Sequence, residues 1–149
     1  MKVKVKVPAT SANLGPGFDV AGLALTLYNT FTFELADQGL NITGCPEQFC
    51  NEENMTYQAF KQAAEICGLE YQGVNIECSG DVPYTRGLGS SSTCIVAGIV
   101  GAFAFKDKVE DRQEILELAT AIEGHPDNVA PAIFGGLTVS VMELSLIHI

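Results

Sequence analysis

VPYTRGLGSSSTCIVAG, residues 82–98, sets Gly87 and Gly89 and then Ser90, Ser91, Ser92 and Thr93 directly before an apolar run that reaches Phe105. Physically this is a glycine-rich turn that opens the N-terminus of a buried helix. Glycine lets the backbone turn at positive φ and come close to a ligand. A helix start offers unbonded N–H groups and the positive end of a dipole, which together suit a phosphate. Small hydroxyl side chains leave room for that phosphate and can ligate Mg²⁺, a hard cation that takes oxygen ligands. The plainer alternative is a serine-capped core helix after a tight turn, since serine is an ordinary N-cap residue.

Two familiar phosphate loops do not fit. A Walker loop needs a Lys after its last glycine, and none follows here. A dinucleotide fingerprint needs a third glycine where Ser92 stands, and it belongs after a first strand rather than in mid-chain. Composition narrows the classes further. The chain has 149 residues, 47% apolar and 17% charged, enough for one domain with a real core. Its net charge is −10 and its eight basic residues are scattered apart from Lys2, Lys4 and Lys6, so the basic face of a nucleic-acid binder is missing. No apolar run approaches the roughly 18 residues of a membrane span. Five cysteines form no CxxC pair and only two histidines accompany them, which argues for reduced thiols of a cytoplasmic protein rather than a zinc site.

Outward from the glycine turn, Lys2–Val7 alternates Lys and Val, the pattern of a half-buried strand. Pro8–Gly22, PATSANLGPGFDVAG, contains Pro8, Gly15, Pro16 and Gly17 and reads as a polar loop. Ala21–Tyr28 and Phe31–Leu35 read as two strands and Leu40–Thr43 as a short third. From Asn54 to Cys67 the residues Met55, Ala59, Ala63, Ile66 and Cys67 recur at helical spacing, with Gly68 placed to end that helix, and Val74–Cys78 alternates as the strand leading into the glycine turn. Asp111 and Glu114 predict the cap of a helix whose stripe is Ile115, Leu118, Ala119 and Ile122, with Glu117 at its edge. Glu123–Gly136, EGHPDNVAPAIFGG, is broken by Pro126 and Pro131 and reads as a polar, loop-like segment. Gly136–Val141 then alternates as a strand.

Pro83, Gly87, Leu88, Gly89, Ser90 and Ser91 stand as in the Pro-x-x-x-Gly-Leu-Gly-Ser-Ser signature of the GHMP small-molecule kinases, which this stretch resembles. The string TSANLGPGFD and the string EGHPDNVAPAIFGG resemble two further motifs of the homoserine kinase family within that group, in the same order. The resemblance covers about residues 1–142. It implies a two-layer α+β domain, a mixed sheet packed against helices with a left-handed βαβ crossover. It also implies transfer of the γ-phosphoryl group of ATP, with Mg²⁺, to the side-chain hydroxyl of L-homoserine. A second domain would follow, and residues 143–149 do not continue as the family does, so a non-native tail on a truncated and poorly active chain is expected there. The resemblance allows a homodimer of the complete enzyme, and no nucleic acid or membrane partner is expected.

Residue by residue, the resemblance assigns the nucleotide to Pro83, Tyr84, Thr85, Arg86, Gly87, Leu88, Gly89, Ser90, Ser91, Ser92 and Thr93, with Asn54 at the adenine. It assigns Mg²⁺ to Ser91 and Glu117, and the substrate to Asn13, Asp19 and His125, with Asp19 facing the ammonium group. Asn128 falls where related kinases carry a catalytic Asp, and a carboxamide cannot take a proton in the same way. Transfer without a dedicated protein base is therefore expected, with Asp127 in a positioning role. Another GHMP kinase would explain the glycine turn but not the other two strings. A non-catalytic nucleotide-binding fragment would share all three.

Overall fold

Alternation of Lys and Val does build the first strand. In a computed structural model, which describes residues 1–16, 20–143 and 146–148, with side chains up to Met142, β1 (Lys2–Ala12) buries Val3, Val5 and Val7 and leaves the lysines in water. It runs five residues past the expected end. Thr10, Ser11 and Ala12 pair with Ala24, Leu23 and Gly22 of β2 (Ala21–Ala36), after a register shift between Pro8 and Thr10. Proline has no N–H to give a ladder, and an irregularity is where a strand can tolerate it. The polar loop therefore begins only at Asn13.

β2 is one strand of 16 residues where two were expected. No Gly or Pro interrupts Leu27–Phe31, and pairing on both edges outweighs the low strand preference of Asn29. β1 lies along one edge of β2. Along the other, β4 (Gly73–Gly80) pairs with residues 29–36 and β5 (Leu137–Val139) with residues 21–23. β3 (Gly39–Thr43) adds to β4 in parallel, giving the order β1-β2-β4-β3 in a mixed sheet. The β3-to-β4 crossover carries α1 (Met55–Cys67), which Gly68 ends as expected.

α1 packs along α2 (Ser90–Ala104), and both cover the sheet face that carries Val5, Phe31, Phe33, Val74 and Ile76. Phe33 stacks on Phe60 of α1 with ring centroids 5.5 Å apart. α3 (Arg112–Glu123) starts at Asp111, whose carboxylate accepts from the Glu114 N–H at 3.0 Å, and buries Ile115, Leu116, Ala119 and Thr120 against α2.

α4 (Val129–Phe134) corrects the reading of the third motif as wholly loop-like. Pro131 is its third residue, where an N–H has no intrahelical acceptor, so proline costs nothing there. The expected strand at 136–141 is split. β5 ends at Val139, the Ser140 N–H turns to the Val20 carbonyl at 2.9 Å, and β6 (Val141–Glu143) pairs with β7 (Leu146–His148) in a separate ribbon.

Candidate active site

The ends of β1 and β4, the start of α1 and the start of α2 surround a cavity of about 670 Å³. Its wall is built where the three informative stretches meet. The Thr10 N–H donates to the Leu88 carbonyl at 3.0 Å, and the Thr10 hydroxyl donates to Asn128 Oδ1 at 2.8 Å. Gly89 lies against this pair. A Cβ on Gly89 would sit 2.1 Å from Thr10 Oγ1 and 3.4 Å from Asn128 Oδ1, and its φ of +69° is left-handed. Gly22 makes the matching close approach on β2, where a Cβ would lie 1.9 Å from the Asp127 carbonyl. Glycine at 89 is thus needed for contact with the first and third motifs as well as for its turn.

Gly89 is the N-cap of α2 and provides no side-chain cap. The first bond of the helix runs from Thr93 N to Gly89 O at 3.0 Å, which leaves the N–H groups of Ser90, Ser91 and Ser92 without intrahelical acceptors. Gly87, Gly89, Ser90 and Ser91 line the cavity, as do Tyr84, Thr85 and Arg86. Pro83, Leu88, Ser92 and Thr93 do not line it. Ser92 and Thr93 are fully buried, and Thr93 Oγ1 is engaged by the Ser90 carbonyl and the Asn29 amide. A part of Ser92 in holding phosphate is therefore confined to its backbone N–H, and the Thr93 N–H is already given to the Gly89 carbonyl. Asn29, which no motif flagged, also accepts the Val82 N–H at 3.2 Å and so ties the approach to the turn onto β2. The available clue was a polar residue on the same strand face as Phe31 and Phe33.

The carboxylate beside the serines is not the expected one. Glu117 is exposed and accepts from Gln113 Nε2 at 3.1 Å on the outer face of α3. Glu123, at the last position of α3, accepts from Ser91 Oγ at 3.0 Å. Ser91 lines the cavity and Glu123 lies against Ser91, and such a hydroxyl and carboxylate side by side form a hard-oxygen pair suited to Mg²⁺, which keeps several waters and fills its shell with phosphate oxygens. Among the described residues no cluster of three or more His, Cys, Asp or Glu could hold a metal alone.

In the third motif the Asp127 carboxylate is buried, with Oδ1 on His125 Nδ1 and on the Asn128 N–H at 3.0 Å; Oδ2 has no hydrogen-bond partner. Asn128 and Asn13 line the cavity, whereas His125 and Asp127 do not. Asp19 lies outside the described residues. Asn54 lines the cavity too, but its side chain is spent on structure. It accepts the N–H groups of Thr56 and Tyr57 as the cap of α1 and donates to the Phe49 carbonyl at 2.9 Å.

Away from the serines the cavity is apolar and soft. Phe49 and Tyr84 face each other with centroids 6.4 Å apart, and Met55, Cys45, Cys78 and Cys94 add to the lining. Burial pushes the Cys45 thiol up to about 11 and the Cys78 thiol up to about 12, with neighbouring thiols adding to both. These side chains are neutral packing groups at physiological pH.

The profile of the GHMP kinases N terminal domain matches residues 54–136. Over 142 residues the chain is 53% identical to the homoserine kinase of Clostridium beijerinckii and 51% identical to one from Clostridium botulinum, covering 95% of this chain and 48% of each relative. The crystal structure of homoserine kinase from Cytophaga hutchinsonii superposes with a TM-score of 0.78 at 31% identity, covering 93% of this chain and 48% of that one. Mevalonate kinase of Methanococcus jannaschii, at 16% identity and a TM-score of 0.75, shares the fold. The chain thus spans about half the length of the curated relatives it matches.

Proposed function

The chain belongs to the GHMP kinase family, and on that premise we propose that it forms the nucleotide-holding half of an enzyme that moves the γ-phosphoryl group of ATP to the side-chain hydroxyl of L-homoserine. The product is O-phospho-L-homoserine, and the reaction belongs in the cytoplasm, where ATP and reduced thiols are found. The observation that carries this reading is the junction of Thr10, Gly89 and Asn128, which joins the three motif-bearing segments at one cavity wall. The substrate is suggested by relatives named as homoserine kinases at 53% and 51% identity.

Phosphoryl transfer asks for placement and charge neutralisation more than for covalent help. The open start of α2 supplies N–H donors for the triphosphate, and Arg86 stands beside them. The apolar end between Phe49 and Tyr84 suits the adenine ring. Ser91 and Glu123 would hold Mg²⁺, which when bound neutralises charge on the phosphate oxygens. Asp19 takes the substrate ammonium group by its motif position, as a charge-assisted hydrogen bond, with Asn13 and His125 as further contacts. Asn128 cannot act as a base, so the hydroxyl proton passes to phosphate oxygens or solvent.

The test is an enzyme completed by joining residues 1–142 to the C-terminal half of the Clostridium beijerinckii relative. It is assayed with ATP and homoserine, 4-hydroxybutyrate, mevalonate or galactose. Homoserine is expected to be preferred. Loss of one partner of a buried charge pair costs on the order of 2–5 kcal/mol, so Asp19→Asn should raise the KM for homoserine tens of times and leave that for ATP unchanged. Preference for another alcohol, or indifference to the amino group in the parent enzyme, would overturn the substrate assignment.

A further inference from the structure

Thr10 joins the segments of the site but takes no part in the chemistry read above, and it is anchored through both its backbone and its side chain. Its side chain is fully buried, its hydroxyl donates to Asn128 Oδ1 across 118 residues of sequence, and its own N–H is fixed to Leu88 O. A carboxamide has an accepting oxygen edge and a donating N–H edge. With the oxygen taken by the Thr10 hydroxyl, the N–H edge is the one left to Asn128, which lines the cavity. No described residue accepts a hydrogen bond from that nitrogen, whereas the backbone N–H of Asn128 is already satisfied by Asp127. Gly89 makes the arrangement possible, because any side chain there would collide with the Thr10 hydroxyl.

We propose that Thr10 is a positioning residue for the transfer, pinning the Asn128 carboxamide so that its N–H edge faces the cavity and donates to the acceptor hydroxyl oxygen or to the phosphoryl group in transit. The proposal rests on the kinase reading. A fixed donor aimed where negative charge develops stabilises that charge without reorganising. The opposite edge would set a carbonyl oxygen against phosphate oxygens and repel them. Thr10 acts through Asn128 and touches no reactant itself.

Two measurements decide it. In the completed enzyme, Thr10→Val should lower kcat about 10²-fold, the cost of a misplaced reacting group, with the KM for ATP within about twofold. Thr10→Ser keeps the hydroxyl and should restore kcat to within about threefold of the parent. In an Asn128→Ala background Thr10→Val should change kcat little, because the coupling is gone. Asn128→Asp should be worse than Asn128→Ala, since it swaps a donor for a charged acceptor. An equal loss from Thr10→Val with or without Asn128 would overturn the proposal. So would Thr10→Ser as poor as Thr10→Val, or Asn128→Asp more active than Asn128→Ala. A merely structural Thr10 would lower the melting temperature of Thr10→Val and leave the kcat of the folded enzyme unchanged. In the 149-residue chain, the melting temperatures of Thr10→Val, Asn128→Ala and the double variant should be non-additive, and strict additivity would refute the bond itself. If the parent turns over no homoserine, the substrate assignment fails while this second cycle still tests the bond.

Discussion

The starts of α1 and α2 border the same cavity and are finished in opposite ways. At α1 the chain closes its own helix end: Asn54 is nearly buried, takes two backbone N–H groups on its oxygen and gives its amide to Phe49. At α2 the cap is Gly89, left-handed and without a side chain, and three serine N–H groups are left open. A capped end is worth about 1 kcal/mol of stability. An end left open forgoes that and keeps donors and a positive dipole for an anion. The contrast separates residues that build the cavity from residues that would work in it, and it moves Asn54 to the first group although its position in the sequence suggested the second.

The largest effect should come from filling the open end. Gly89→Val places a branched side chain at φ +69° and onto Thr10 Oγ1, where left-handed backbone alone costs about 1–2 kcal/mol. ATP binding by calorimetry should vanish. Normal affinity would mean that the end of α2 is not the phosphate site.

Next comes the carboxylate that completes this end. Glu123→Gln removes a charge that a metal needs, and metal-borne charge stabilisation is worth several kcal/mol, so kcat of the completed enzyme should fall on the order of 10²-fold. Glu117→Gln, on the outer face of α3, should leave it near the parent value. The reverse outcome would restore Glu117 as the ligand.

A smaller effect is expected at the closed end. Asn54→Ala should lower stability by about 1 kcal/mol, or about 3 °C in a chain of this size, and should leave kcat close to the parent. A collapse of kcat with an unchanged melting temperature would make Asn54 a contact for the nucleotide after all. The thiols between the two ends should respond least. With Cys45 near 11 and Cys78 near 12, thiolate is scarce at pH 8 and grows about tenfold per pH unit up to those values. Iodoacetamide at pH 8 should leave both unmodified in the folded chain and label both after unfolding, as mass spectrometry would report.

Much of this was legible in the chain itself, wherever the signal is local. Alternating Lys and Val made β1, Gly68 ended α1, and Asp111 with Glu114 made the start of α3. The stripe of α1 was legible only in part, since Ala59, Ala63 and Cys67 are buried but Met55 and Ile66 are exposed and Phe60 fills the core instead. The glycine turn before Ser90 opens α2. Each signal acts within one helical turn or one strand alternation, so neighbours in sequence suffice to set it. The extension of β1 past Pro8 and the fusion of β2 through Asn29 were not legible, because partner strands pair those residues. Nor was α4, which needs Pro131 to fall in the first turn.

The residues of the three motifs were determined by the sequence alone, and so was their order. Which of them meet was decided by tertiary structure. Glu117 and Glu123 share α3 but lie about 120° apart around its axis at 3.6 residues per turn. Only the packing of α3 against α2 selects the one that reaches Ser91. Thr10 and Asn128 are 118 residues apart, and no periodicity links them. Their hydrogen bond exists because β1, the turn before α2 and the start of α4 converge on a glycine too small to keep them apart.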